Sequence, residues 1–217
     1  LAGRAAPGDI VLVFLLGHGS GEGLDSRVNL PGPDPTAADY KMWVSVFVKQ
    51  NVVFINAASA SGDFVQQLAA PARIIVTATK SAMERNESVF AKYFARGLTS
   101  GEADADKDGR VSVLEAFAYA RKEVARAYEG ANKLQTEHAV LSDSILAQTV
   151  AFGGQPASSD PRVAALVAER RALEDSLAAL RARKAQMDST AYATELERIL
   201  IAIAEKTQAI RGAGGRR

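Results

Sequence analysis

Residues 104–115, DADKDGRVSVLE, carry three carboxylates at alternate positions. Asp104, Asp106 and Asp108 stand at positions one, three and five of a twelve-residue loop, with Gly109 at six. Arg110 would offer its backbone carbonyl at seven, Ser112 lies at nine, and Glu115 closes the loop at twelve. This spacing matches the EF-hand pattern for calcium at each diagnostic position. Alternate carboxylates converge on one hard cation, glycine permits the sharp turn, and the last glutamate brings two oxygens from the incoming helix. Val111 supplies an apolar side chain to pack beneath the loop. The plainer alternative is a solvated acidic turn in which Ser112 and Glu115 form a helix capping box. That box leaves three alternating aspartates unexplained, so the expectation is calcium, in a structural role fixing the angle between the flanking helices. Only one such loop is visible, so the expected affinity is modest.

A second set of residues lies nearer the start. His18 sits between two glycines in LLGHGSGEG, directly after an apolar run. A histidine held in a glycine-rich turn at a strand end faces the sheet edge where α/β sites form. The stretch NVVFINAASASGDF has the same form: an apolar strand that opens into the small residues 56–62. Cysteine is absent, so the nucleophile available in that loop is serine, and Ser59 or Ser61 can face His18. His138, in TEHAVLSDS, follows a helix with no identifiable partner and reads as structural or capping.

Positioning these residues requires an α/β layer. Strands are expected at 10–16, buried on both faces, at 52–55 and at 73–79. Helices are expected at 37–48 with Thr36 as N-cap, at 63–69, at 87–98 and at 113–129. Helical connections between the strands favour a parallel sheet with right-handed crossovers. Residues 1–150 form this α/β domain and 151–160 read as a linker. Residues 161–211 read as an α-helical hairpin, with Pro161 in the first helical turn and a restart at Asp188-Ser189. Leu166, Leu173, Leu180 and Met187 repeat every seven residues, and Leu196, Ile199, Ile203, Lys206 and Ile210 continue a coiled-coil-like seam.

With the GHG turn and the small-residue loop at the ends of consecutive strands, the chain resembles the caspase and legumain peptidases over about residues 8–98. Those sequences place the nucleophile two residues before a Ser-Gly, and counting back from Ser61-Gly62 gives Ser59. VTATKSAMERNES is similar to the legumain-type stretch after the third strand, and the acidic loop and EHAVLSD suit bacterial relatives of the group. The resemblance implies His18 as general base or acid, Ser59 at the nucleophile position, and an oxyanion hole from the N–H groups of Gly19 and Ser59. Lys80, Ser81 and Glu84 would border the substrate pocket. It further implies a caspase-like parallel sheet flanked by helices. Two strands normally precede the GHG strand in that fold, whereas nine residues do here, so a fragment missing its N-terminal strands is expected, with the first strand left as an edge.

The chain departs from the family in carrying serine where cysteine is expected. A thiol supplies some thiolate at neutral pH, whereas a serine hydroxyl needs a well-aligned base. The readings that remain are a weak or inactive peptidase acting on peptide or protein substrates, and a non-catalytic pseudopeptidase. The latter would act through its helical hairpin, as a homodimer or on a partner protein. The net charge of +1 over 217 residues offers no field for nucleic acid or an anionic membrane, and no apolar run is long enough to span a bilayer.

Overall fold

The structure, a computed structural model, describes residues 2–21, 25–152 and 160–214. Its elements run β1 (Ile10–Leu15), β2 (Gly19–Ser20), β3 (Arg27–Val28), α1 (Ala37–Val44), β4 (Asn51–Asn56), α2 (Asp63–Leu68) and β5 (Arg73–Thr77). There follow α3 (Phe90–Ser100), β6 (Val111–Ser112), α4 (Val113–Gly130), β7 (Val140–Leu141), α5 (Ser144–Thr149), β8 (Ala151–Phe152), α6 (Pro161–Ala182) and α7 (Ser189–Gly214). Residues up to 103 together with 111–152 form one unit; residues 104–110 group with the C-terminal helices in a second. The linker expected at 151–160 lies, for residues 153–159, outside the described residues.

The first unit is mixed α/β. Its main sheet has the order β1-β4-β5-β7. β1, β4 and β5 are parallel, as the helical connections require, but β7 joins antiparallel to β5. Successive side chains of a strand face opposite ways, and β4 divides accordingly. Val52 and Phe54 pack with Tyr40 and Val44 of α1 and Phe64 and Leu68 of α2. Val53 and Ile55 pack with Phe90 and Phe94 of α3, Ala116 and Phe117 of α4 and Ala147 of α5. Phe54 lies 5.4 Å from Tyr40 and 5.9 Å from Phe64 between ring centroids, which fixes the α1–α2 layer on its face of the sheet.

Several boundaries differ from expectation for physical reasons. β1 is not buried on both faces: it ends the strand order, and Ile10 and Leu12 are 39% and 43% exposed. α1 stops at Val44 because the Ser45 hydroxyl donates to the Met42 carbonyl, closing the turn before Val46–Val48. β5 ends at Thr77, whose hydroxyl donates to the Thr79 carbonyl and turns the chain. α3 begins at Phe90 rather than 87, because the buried Glu137 carboxylate accepts the N–H groups of Val89 and Phe90. A carboxylate satisfies these orphan donors well.

In the second unit α6 and α7 pack on each other. Leu177 and Leu180 meet Ile199 and Ile203, and Val163 and Val167 meet Ile210. Asp160 caps α6 through the Arg162 N–H, with Pro161 opening the helix. The fully buried stripe on α6 is Val163, Val167, Arg170, Leu177 and Leu180. Leu166, Leu173 and Met187 of the expected heptad are only partly buried. Lys206 turns out of the seam to pair with Glu169, and Thr207 is buried in its place.

Candidate functional site

The β1–β4 register pairs Leu15 with Asn56. His18 and Ser59 each lie three residues beyond that rung, so the sheet sends both to its carboxyl edge. The small-residue loop is buried throughout: Ala57, Ala58, Ser59, Ala60 and Ser61 are at most 3% exposed. Their small size has a direct cause, because the loop is sandwiched between the chain after β1 and the chain after β5. A Cβ on Gly62 would lie 2.1 Å from the Lys80 carbonyl carbon, and one on Gly19 would lie 2.2 Å from the Ser59 carbonyl oxygen. Neither position has room for a side chain.

Hydrogen bonds tie the three segments. The Ala58 N–H donates to Asn56 Oδ1 at 3.1 Å, the Ala60 N–H to the Glu84 carbonyl at 2.8 Å, and the Ser61 N–H to Thr79 Oγ1 at 2.7 Å. The Gly19 N–H donates to Ser59 Oγ, and Ser59 Oγ donates to the Gly19 carbonyl, both at 3.2 Å. The Gly19 N–H expected in an oxyanion hole is therefore bound to the serine hydroxyl. His18 is exposed, and among the described residues its ring makes no hydrogen bond to Ser59. Ser61 is bonded to Thr79 through backbone and side chain and does not face His18 as a free hydroxyl. Ala60, next to Ser59, has φ of 52°, a left-handed conformation that is costly for a residue with a Cβ.

Of the three residues expected to border a substrate pocket, Lys80 is exposed and lies 3.7 Å from Glu84. The Ser81 hydroxyl accepts the Met83 N–H. Glu84 accepts the N–H groups of Lys80 and His138, and its other oxygen meets His138 Nδ1 at 2.5 Å. Burial pushes its carboxyl up, but the Lys80 N–H and the His138 ring and N–H outweigh that and hold it below the usual range. His138 thus has a partner that the sequence did not reveal, and the pair joins segments 54 residues apart.

Of the expected loop ligands, the aspartates form the group of mutually close carboxylates, and Glu115 is not among them. Carboxylate oxygens of Asp104, Asp106 and Asp108 lie within 4.8 Å of one another. Donors about 2.3–2.6 Å from a calcium ion stand at most ~5 Å apart, so this set fits a hard cation. The Asp108 and Gly109 N–H groups donate to Asp104, and the Arg110 N–H donates to Asp108 at 2.7 Å. Gly109 supplies the turn with φ of 82°. Ser112 and Glu115 form a reciprocal capping box at the start of α4: the Glu115 N–H reaches Ser112 Oγ at 3.1 Å, and Glu115 Oε2 accepts the Ser112 N–H at 2.9 Å.

Arg170 is the residue that spacing within the loop could not reveal. Its guanidinium reaches from α6 to bridge Oδ2 of Asp106 and Oδ2 of Asp108, and its Nε lies 3.2 Å from Glu174. Burial works against its charge, but Asp106, Asp108 and Glu174 hold its pKa above the ordinary arginine value. Desolvation pushes Asp104, Asp108 and Glu174 up. One signal was legible: Arg170 is a charged residue on the stripe of Val163, Val167 and Leu177.

No protein family, no curated protein and no solved structure matches this chain. Among the described residues, no helix is long and apolar enough to cross a membrane.

Proposed function

We propose that the first unit is a caspase/legumain-like scaffold without peptidase activity, and that the loop 104–115 binds calcium. What supports loss of catalysis is the state of Ser59. The residue is 3% exposed, and its hydroxyl is engaged by both backbone groups of Gly19. A serine nucleophile needs a base aligned on its hydroxyl and free donors for the oxyanion. Here the hydroxyl and a candidate oxyanion donor satisfy each other. Calcium, once bound by the aspartates, would supply a fixed divalent charge that holds the loop.

The partner-binding function then falls to the C-terminal helices as a helical hairpin. In support, α7 presents Ala193, Leu196, Leu200, Ile201 and Ala204, with Glu197, around a mainly apolar depression of about 410 Å³, with Ile201 53% exposed. Such a strip suits docking to a second copy of the chain or to another protein.

A weak Ser-His peptidase is the second reading. It is favoured by the strained Ala60 beside Ser59 and by the shared sheet edge of Ser59 and His18. Hydrolysis of a peptide mixture by the wild-type chain and by Ser59→Ala separates the two. Equal background rates are expected, and activity lost in Ser59→Ala would establish the peptidase. Calorimetry on the EDTA-stripped chain tests the calcium reading: one site per chain is expected, and absence of heat would end it.

A further inference from the structure

Arg170 is 6% exposed in the interior of α6. A charge there costs stability unless it is compensated by close partners. Its partners are the carboxylates a metal ion would need: Asp106 and Asp108 meet its two terminal nitrogens. The guanidinium is therefore a cation delivered to the loop by the chain itself.

The charge balance is incomplete. Asp104, Asp106, Asp108 and Glu174 are four carboxyl groups gathered near the Arg170 guanidinium, and Arg110 is a second cation whose charge reaches Asp108 and Glu174. Four carboxyl groups leave anionic charge in excess of these two cations. A divalent ion would neutralise more of it than Arg170 does. It would also meet Arg170 as a like charge at close range in a region of low dielectric.

From this we infer that Arg170 is a tethered competitor for calcium. This rests on the calcium reading of the loop. Without the ion, Arg170 bridges Asp106 and Asp108 and pins α6 to the loop; the arriving ion displaces the guanidinium and loosens that stretch of the helix. Affinity is then reduced by the fraction of time the bridge is closed. The device couples calcium concentration to the order of α6 and hence to the helices proposed to dock a partner.

The test is calcium calorimetry on the full chain, comparing wild type with Arg170→Met, which keeps an apolar stem of similar length. Arg170→Met is expected to bind calcium about tenfold tighter or more. Arg170→Lys, a point charge unable to bridge two carboxylates as a fork, should tighten binding less. Equal or weaker binding in Arg170→Met overturns the competitor role while leaving the calcium reading intact. Heat in neither protein removes both.

Hydrogen exchange on the wild-type chain decides the matter if Arg170→Met does not fold. Calcium should slow exchange in residues 104–110 and speed it in residues 167–174. Slowing in both segments would mean that Arg170 stays in place and supports the ion.

Discussion

Ser59 and Gly19 close a reciprocal pair of hydrogen bonds across two strand-end loops. The glycine N–H donates to the serine hydroxyl, and the hydroxyl donates to the glycine carbonyl. The pair makes Ser59 a brace between the chain after β1 and the chain after β4. Removing it in Ser59→Ala should cost about 1–2 kcal/mol, because two partly buried backbone groups of Gly19 lose this partner. Urea denaturation measures this loss.

The glycines that let the loops approach give a sharper contrast. Gly62→Ala places a Cβ 2.1 Å from the Lys80 backbone, so a loss of about 3 kcal/mol or more is expected. Gly130→Ala meets no atom within 4 Å at the end of α4. It should be neutral or stabilising, by up to ~1 kcal/mol. Thermal unfolding of the two variants beside wild type checks the pair.

Phe54 is fully buried between Tyr40 and Phe64. Phe54→Ala should destabilise by about 3–5 kcal/mol. Ile10→Ala, on the exposed edge strand β1, should cost less than half as much, because its side chain is already 39% exposed. Denaturation midpoints of the two variants should separate accordingly.

The Glu84–His138 connection predicts a pH dependence. The Glu84 carboxyl is held below its usual range, so the folded state binds its proton less readily than the unfolded state. Its contribution is fully present above the unfolded value, ~4.3, and is lost as pH falls through the lower folded value. Glu84→Gln should be less stable than wild type at pH 7, with the gap narrowing below about pH 4. Unfolding curves from pH 7 to pH 3 measure it.

The central strands were legible because Val52–Ile55 and Ile74–Val76 are apolar runs bounded by polar residues. The exposure of β1 was not, because edge position depends on strand order rather than on the strand's own residues. The start of α3 depends on Glu137, and the environment of His138 on Glu84; both partners are distant in sequence. In the acidic loop the spacing of Asp104, Asp106 and Asp108 was enough to place their carboxylates together. Arg170 escaped because the seven-residue repeat drew the seam through Leu166 and Leu173, which are only partly buried. The 3–4 spacing of Val163, Val167 and Arg170 marks the face that is buried.

A serine-directed fluorophosphonate probe tests the non-catalytic account most directly, read by intact mass and by peptide mapping. A hydroxyl buried in the Gly19 brace should remain unmodified in the wild-type chain, as in His18→Ala. Stoichiometric labelling at Ser59 that disappears in His18→Ala would show a working nucleophile and base, and would contradict the account.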